Sequence, residues 1–590
     1  MTTQESQLAE LKIFADPGTP AANTYSEIWT TVDRNPRLHI DFARKWMDEC
    51  RTKHKLCTSN FLCSERSEMP TRLIDIGEPG DRGRRSVRLV ITRKSDVQAP
   101  YVALSYCWGT STSSTLMLRE QNLSELQWHI DEEQLPKTHR DAFQLARDLG
   151  FRYVWIDALC IVQGSRDDWE YESRRMAQVY GNSALTIIAG RAADSQEGFL
   201  ENRLQQSVGP CAISFYGEDR YKGVPRSEIR ELGKIWLSLP RSLKYGPVFE
   251  RGWCFQEEML SSRALIFGEE QLAFQCHELK IREDGRAGRP EAYRIRSAYD
   301  DAYAAVGPDF KPLGPMRLDD DEVARRWLVF WYIGVLWSYP ARKLTDQDDV
   351  FAAISGLAQV AKRKIRSRYL AGLWEIDMVR GLLWMSYLPM ERQRRMTVVP
   401  RPQNGNEAQE IPTEVPSWSW AAIQGQVRVE HMSRNEAKYH ESNWMVRLKY
   451  DGRWTRDTSC HATAVHIKSC ELEFFGRPRR VMCIGKIKGA SPKPKRGYMV
   501  DLVPMEENEA DQEKKDNNNQ CSEDANHVVA AGYFDVAYER VDSCWCLPLT
   551  RTEGLILVRD DRDKFRRLGT MKIHDLGWMM SAEEVEVCLV

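Results

Sequence analysis

The sequence carries almost no excess of charge of either sign. Its 590 residues include 83 Lys and Arg against 85 Asp and Glu, which gives a formal net charge of −2. A nucleic-acid-binding protein usually has a basic patch or stripe, so this balance predicts no nucleic-acid partner. The sequence is also not poor in hydrophobic residues, because 42% of the residues are hydrophobic and 10% are aromatic. That composition excludes a wholly disordered chain and predicts folded domains.

Long apolar runs and a regular cysteine framework are also missing. The longest uncharged stretch, residues 327–341, is shorter than the ~20 residues of a membrane-spanning helix, so it predicts a buried helix. Residues 1–14 are polar and lack the apolar core of a signal peptide. The 15 cysteines are odd in number and irregularly spaced, unlike those of a small secreted domain. We therefore expect a cytoplasmic protein with reduced thiols and no membrane span.

Several catalytic signatures do not occur in the sequence. They are the phosphate-binding pattern G-x-x-x-x-G-K-S/T, the dinucleotide pattern G-x-G-x-x-G, the zinc-protease pattern H-E-x-x-H and the hydrolase pattern G-x-S-x-G. Cys107, Cys160 and Cys254 suggest a cysteine protease, but among the histidines of the block neither His139 nor His277 has a recognisable context. The sequence therefore argues against these enzyme classes.

The length of the chain predicts more than one domain, because a single hydrophobic core rarely serves so many residues. We predict a leader at 1–97 that is partly helical with short strands, an α/β domain at 98–280, a helical region at 281–410, and a β-rich domain at 411–590. The β-rich domain is predicted to be a sandwich or a partly closed barrel. Within it, residues 506–527 are poor in apolar residues and predict a disordered loop.

Three apolar runs in the α/β block predict strands. They are YVALSYCWG at 101–109, FRYVWI at 151–156 and ALTIIA at 184–189. Strands separated by helices with short connections are typical of a parallel sheet. Ligands bind at the carboxyl ends of the strands in such sheets. Residues 105–109 and 157–163 occupy those ends, so the pattern predicts a site there.

Two segments between these runs have helical spacing. In the first, Thr138 is expected to cap the helix with Asp141 in its first turn, and Gly150 ends the apolar pattern. The second, residues 167–180, begins with two acidic residues, which favour a helix N-terminus.

The phrases in this block together resemble a fungal heterokaryon-incompatibility (HET) domain. The matching text covers roughly 160 residues in order and reads YVALSYCWG, LPKTHRDAFQLARDLGFRYVWIDALCIVQ, DWEYESRRMAQVYGNSALTIIAG, GFLENR and RGWCFQEEMLSSRALIF. The resemblance implies nonself recognition between fused cells, with the domain triggering cell death. HET domains are similar to Toll/interleukin-receptor (TIR) domains, some of which cleave NAD. The resemblance thus implies a TIR-like, flavodoxin-like fold with NAD as a candidate substrate and no required cofactor.

The resemblance also implies a working residue. In TIR domains that cleave NAD, a helical glutamate follows a tryptophan by four positions, and WCFQE at 253–257 has this spacing, which places the counterpart at Glu257. One difference from a TIR domain is the insertion of about sixty residues between Arg191 and Arg251. Glu257 therefore reaches the site only if that insertion folds away from it.

Five further residues are candidates for substrate contacts. Trp253 lies one helical turn before Glu257 and is expected to form a wall of the pocket. Tyr106 or Trp108 is expected to stack on a flat base, Ser105 lies at the same strand end, and Asp157 is expected to bind ribose.

Structural interpretations of these residues remain open. A glutamate between Arg251 and Arg263 is often part of an ion pair without catalytic role. Asp157 has the position of a turn-capping residue, and Trp108 fits a core position. In that case the protein is a non-catalytic signalling adaptor that assembles with partner domains. In either case the expected partners are other incompatibility proteins or further copies of this chain.

One group of residues has the composition of a metal site. Cys50, His54, Cys57 and Cys63 are all zinc ligands by type, but their spacing, C-x3-H-x2-C-x5-C, matches no standard zinc motif. The alternative is a set of buried thiols beside a surface histidine.

Overall fold

The chain forms two compact units, residues 1–291 and 292–590. The computed structural model describes residues 12–15, 18–23, 38–54, 57, 68–78, 87–109, 115–201, 211–216, 231–238, 246–283, 287–288, 322–386, 415–429, 445–448, 472–484, 499–505, 527–535, 543–560 and 562–590. Cys63 and residues 506–526 of the predicted loop lie outside the described residues.

The described strands of the first unit form two sheets. Their bounds are β1 Lys12–Ala15, β2 Arg72–Asp75, β3 Arg88–Ile91, β4 Tyr101–Ser105, β5 Tyr153–Trp155, β6 Leu185–Ile188, β7 Cys211–Phe215, β8 Gly233–Ser238, β9 Arg263–Phe267, β10 Leu272–Cys276, β11 Lys280–Arg282 and β12 Ala287–Gly288. Its described α-helices are α1 Leu38–Lys53, α2 Thr92–Ser95, α3 Leu123–Trp128, α4 Lys137–Asp148, α5 Asp157–Cys160, α6 Arg166–Ser173, α7 Met176–Asn182 and α8 Gly252–Leu260.

The larger sheet is mixed, with a parallel centre. Its order is β12–β11–β10–β9–β6–β4–β5–β2–β3. The central strands β9, β6, β4 and β5 are parallel, and the flanking strands pair antiparallel. All five residues of β4 and all four of β6 are buried, as expected for central parallel strands covered on both faces. The three strands predicted from the apolar runs are confirmed.

The order of the parallel strands creates a switch point. In chain order β4 comes first, β5 lies on one side of it, and β6 and then β9 lie on the other. The connection after β4 therefore leads to one side of the sheet and the connection after β6 leads to the other side. The direction of the connections reverses between β4 and β6. Such a switch point opens a crevice outside the carboxyl ends of the strands, where α/β proteins bind ligands. The end of β4 at Ser105 borders this position.

The insertion after β6 builds a separate sheet from its described strands. β7 and β8 pair antiparallel, and β8 pairs in turn with β1. Neither strand joins the larger sheet. The chain then forms α8 and enters β9, which pairs parallel with β6. The described strands of the insertion thus form a sheet apart from the larger one, and α8 with Glu257 follows them in the chain.

The first predicted helix is present, but its predicted cap is wrong. Thr138 lies inside the first turn of α4, and its hydroxyl accepts from the Gly198 N–H at 3.2 Å. Asp141 accepts from the N–H groups of Phe199 and Leu200 at 2.7 and 3.1 Å. The two polar side chains therefore hold the loop that follows β6 instead of capping their own helix.

The second predicted helix is interrupted. Residues 167–180 fall on α6 and α7, which are separated by Arg174 and Arg175.

The second unit combines helices with a closed sheet. Its described helices are α9 Glu322–Val329, a π-helical segment Phe330–Val335, α10 Leu336–Ser338, α11 Ala352–Ile365, α12 Met378–Leu382 and α13 Leu576–Met580. Its described strands are β13 Tyr369–Leu370, β14 Leu373–Trp374, β15 Trp384–Ser386, β16 Val427–Val429, β17 Arg447–Leu448, β18 Leu472–Gly476, β19 Arg479–Ile484, β20 Met499–Pro504, β21 Ala530–Phe534, β22 Ser543–Pro548, β23 Glu553–Arg559, β24 Phe565–Ile573 and β25 Val585–Leu589.

The C-terminal strands close into a barrel. β24, β21, β20, β19, β22 and β23 pair in this order, and β23 pairs back to β24. The predicted β-rich architecture is thus present in its barrel form.

Most of the apolar stretch at 327–341 is helical and buried, as predicted, although the helix ends at Ser338 and Ile333 and Trp337 are exposed. Trp327, Phe330 and Trp331 in it are almost completely buried. Among the described residues, no helix has the length and apolar character needed to cross a membrane.

Candidate functional site

Glu257 lies on helix α8, close to the carboxyl end of β4. The helix has buried side chains on all its faces except at Trp253, as expected for a helix without a polar stripe. Its C-terminus is fixed to β6, because the Ser261 hydroxyl contacts Thr186 Oγ1 at 2.6 Å and donates to the Glu257 carbonyl at 2.5 Å. The Glu257 carboxyl then lies beside the Ser105 hydroxyl, the last side chain of β4.

The surroundings of Glu257 keep its proton affinity high. Burial raises the pKa of this carboxyl to about 7, and the negative charge of Asp157 acts in the same direction. Ser105, Arg251 and Cys254 oppose the shift. The side chain is only 5% exposed, so desolvation is the dominant cause. A carboxyl group with such a pKa exchanges its proton near neutral pH.

Asp157 is the second acidic group of the site. It is the first residue of α5, directly after the β5 strand segment, where one carboxylate oxygen accepts from the Ala158 N–H at 2.7 Å. The other oxygen accepts from Trp108 Nε1 at 2.8 Å. Burial raises the pKa of Asp157, while Arg251 and these hydrogen bonds lower it. The residue thus lies in the first turn of α5, where its side chain makes no capping hydrogen bond, and it also fixes the Trp108 indole.

Arg251 is the cation of the site. It precedes α8 in an extended conformation and donates to the carbonyl oxygen of Tyr106. The nearby Glu257 and Asp157 carboxyls raise its pKa against the effect of burial. Arg263, the other arginine of the phrase, donates instead to the Cys57 carbonyl at 3.1 Å. A structural ion pair of Glu257 would therefore involve Arg251.

Tyr106 closes one side of the site. Its ring is 3% exposed and packs edge-on against His139 with a centroid distance of 4.9 Å, and its hydroxyl lies near Asp157. His139 is completely buried, and neither ring nitrogen has a hydrogen-bond partner among the described residues. Burial lowers the pKa of His139 to about 3, so the imidazole is neutral. Tyr106 is in place but lacks the open face that stacking on a base requires.

The two candidate tryptophans are partly exposed. Trp108 follows β4 and is held by Asp157. The Trp253 ring packs edge-on against Trp169 of α6, with a centroid distance of 6.1 Å. These two indoles are therefore better placed than Tyr106 to meet a ligand that approaches the carboxyl end of the sheet.

We refer to Ser105, Tyr106, Asp157, Arg251 and Glu257 as the rim cluster. A carboxylate fixed in such a water-poor site can stabilise a positive charge that develops on a bound sugar. Sequence reasoning identified four of these residues and considered Arg251 only as a structural partner. It did not include His139 among the site residues, because nothing in the local sequence indicates that the ring contacts Tyr106.

The cysteines of this region belong to the core. Cys107 and Cys254 pack with Ile188, Val248 and Ile266. Burial raises the pKa of both thiols, which keeps them protonated and weakly nucleophilic. These two thiols are therefore poorly suited to act as nucleophiles.

A separate group of possible metal ligands lies at the end of β10. The ligand atoms of Cys50, His54, Cys57 and Cys276 all lie within 4.8 Å of one another. The first three were candidates from sequence. Cys276 was not, because it follows His54 by 222 positions. We call these four residues the thiol cluster.

Comparison with known proteins identifies the block that holds the rim cluster. Residues 101–257 match the family described as "Heterokaryon incompatibility protein (HET)". The match begins at the first residue of β4 and ends at Glu257, and the resemblance found in the sequence is confirmed. No curated protein and no solved structure matches the chain.

Proposed function

This chain carries a heterokaryon incompatibility (HET) domain at residues 101–257, and we propose that it is the effector that triggers cell death after nonself recognition, by cleaving NAD at the rim cluster. The domain supports a role related to heterokaryon incompatibility. The cleavage reaction is assigned from the arrangement of the rim cluster and from the likeness of HET domains to TIR domains.

One observation carries the proposal. Glu257, four residues after Trp253, lies at the carboxyl end of β4 next to Ser105, although an insertion of about sixty residues precedes it. The parallel strands have the order β5–β4–β6–β9, which is the order in which a flavodoxin-like sheet begins. The carboxylate thus stands beside the switch point of the sheet, where such folds bind nucleotides.

The reaction needs little more than this carboxylate. When the bond between nicotinamide and ribose breaks, its electron pair moves to the ring nitrogen, which already carries a positive charge. Nicotinamide therefore leaves neutral and needs no general acid. The ribose keeps the positive charge until water adds and releases a proton, so the products are nicotinamide, ADP-ribose and one proton. Ionised Glu257 would stabilise the charged ribose.

The other members of the rim cluster support this role. Arg251 opposes the rise in the pKa of Glu257 and so increases the ionised fraction at neutral pH. Asp157 orients Trp108 through the bond of 2.8 Å to Nε1, and this partly exposed residue would also accept from a ribose hydroxyl. Trp108 and Trp253 would contact the flat rings of the substrate.

A second candidate function rests on the burial of Glu257. A carboxyl that is 5% exposed and close to the partly buried Arg251 has the features of a structural pair. In that case the domain is an adaptor that signals by assembling with other incompatibility proteins or with copies of itself, and it performs no chemistry.

Replacement of Glu257 by Gln distinguishes the two functions. E257Q keeps the shape of the side chain and removes its charge. E258Q is a matched control, because Glu258 is the next residue of α8 and is 3% exposed. Expressed in cells, an NAD-cleaving effector loses both killing and NAD depletion in E257Q and keeps both in E258Q. Killing by E257Q at the wild-type level would assign the adaptor function.

A further inference from the structure

The thiol cluster brings together two segments that lie far apart in the sequence, residues 50–57 and the end of β10. Cys50 and His54 are four residues apart at the end of α1, where the His54 N–H donates to the Cys50 carbonyl at 3.3 Å, so both side chains point to one side. Cys57 follows shortly after. Cys276 is the last residue of β10. The helix packs against this strand through Trp46 and Phe274, whose rings are 6.2 Å apart.

The arrangement has the dimensions of a tetrahedral metal site. Sulfur ligands about 2.3 Å from a zinc ion lie roughly 3.8 Å from one another, and all four ligand atoms here fall within 4.8 Å. Cys276 Sγ is 3.2 Å from His54 Nδ1. Cys50 is completely buried, and Cys57 and Cys276 are 8% and 2% exposed. A disulfide would use two of the three thiols and leave the third beside the imidazole, whereas a metal uses all four groups.

The second layer around the cluster suits thiolates. Three thiolates around a divalent cation leave one negative charge in excess. Arg263 pairs with Cys276 across the β9–β10 hairpin and carries the compensating positive charge next to Cys50. The backbone N–H of His277 points to the Cys57 sulfur, and Arg263 also donates to the Cys57 carbonyl. Hydrogen bonds of this kind orient metal ligands and tune them.

We propose that Cys50, His54, Cys57 and Cys276 bind one structural zinc ion, which fastens α1 to β10 of the larger sheet. All four positions are filled by protein ligands, so the ion has no open site for a substrate. The His54 ligand atom is Nδ1. The ion joins the segment before the HET domain to a strand after it, and its role is separate from the chemistry proposed for the rim cluster.

Metal content and X-ray absorption of the purified full-length chain test the site without any substitution. We expect one zinc per chain, with a first shell of three sulfurs at about 2.3 Å and one nitrogen at about 2.0 Å. Cobalt exchanged for zinc should give the absorption bands of a tetrahedral thiolate site. A chain that contains no zinc and takes up neither ion when supplied with it, or a shell of oxygen and nitrogen only, would overturn the proposal.

Substitution then tests the unexpected ligand. Cys276→Ser should lose at least tenfold in zinc affinity and should lower the thermal unfolding midpoint to that of chelator-treated wild type. Cys211→Ser is the control, because Cys211 is exposed on β7, and it should keep one zinc per chain. If C276S is recovered folded with a full zinc complement and the wild-type affinity, Cys276 is not a ligand and the site as proposed is wrong.

Discussion

At the scale of single residues, the fold holds Glu257 in a state that costs stability. The pKa of this carboxyl rises from 4.5 to about 7 on folding because the group is desolvated. The protonated carboxyl carries no such penalty below the unfolded pKa, and the loss of stability grows as the pH rises from the unfolded pKa to the folded pKa. Functional groups often reduce stability in this way, whereas a carboxylate placed only to hold an arginine would be expected to have a lowered pKa.

This shift predicts a pH-dependent gain for Glu257→Gln. Between about pH 4.5 and pH 7 the ionisation of Glu257 should remove about 3 kcal/mol from the unfolding free energy of the wild type. E257Q cannot ionise, so it should melt at a higher temperature than wild type at pH 8. The two proteins should converge at pH 4.5, which thermal denaturation measured over this range can check. If E257Q melts lower at pH 8, the carboxylate stabilises the fold through Arg251.

Gly372 is a second residue whose identity the fold fixes. Its φ is +93°, and an added Cβ would lie 2.2 Å from Trp420 Nε1. Its carbonyl accepts from the indole N–H groups of both Trp331 and Trp420 at 2.9 Å. Gly372→Ala should strain the backbone and displace the rings, so it should lower the free energy of unfolding by about 2–5 kcal/mol.

Calorimetry of the second unit's unfolding measures the effect of Gly372→Ala. Gly577→Ala is the matched control, since the nearest atom to its added Cβ is 3.4 Å away. Equal melting temperatures for the two variants would mean that the turn at Gly372 tolerates a side chain.

At the scale of elements, one buried ion pair ties the barrel to the preceding helix and strand. Arg567 of β24 is completely buried and binds both oxygens of Asp535, at 2.9 and 3.1 Å. It also donates to the carbonyl oxygens of Leu382 and Trp384, and its guanidinium lies 3.6 Å from the Trp384 ring centroid. One side chain thus donates hydrogen bonds to groups from α12, β15 and the barrel.

Arg567→Met should therefore be strongly destabilising. It leaves Asp535 buried without its partner, which costs about 3–5 kcal/mol. Arg566→Met changes the same charge one position earlier on the strand, where the side chain is exposed, and should cost less than about 0.5 kcal/mol. Denaturant unfolding of both variants provides the comparison. A small loss in R567M would mean that the carbonyl contacts and Asp535 find other donors.

Some secondary-structure elements can be predicted from the sequence alone, and others cannot. β4, β5 and β6 are predicted correctly because fully buried parallel strands are continuous apolar runs. The region predicted to be helical, 281–410, contains an apolar stripe at 369–387, but residues 369–374 form the β13–β14 hairpin. The hairpin turn contains Gly372 at positive φ, which glycine adopts at little cost. An apolar stripe records burial, and here the turn decides the secondary structure.

At the scale of the whole molecule, the sites join residues that no local pattern connects. The spacing of Trp253 and Glu257 is visible in the sequence, but the position of Glu257 beside Ser105 depends on the insertion forming its own sheet with β1. Likewise, the fourth member of the thiol cluster comes from the end of β10. Side chains that meet through strand order and helix packing can be assigned only once the topology is known.

The most direct measurement is nicotinamide release from NAD by the purified full-length chain. We expect nicotinamide and ADP-ribose in equal amounts, with a rate that increases as the pH rises through about 7, because the ionised form of Glu257 is the active one. E258Q should retain this activity and E257Q should lose it while remaining folded. Intact NAD after incubation with wild-type protein from cells that it kills, or equal cleavage by E257Q, would contradict the assignment of the rim cluster as a catalytic site.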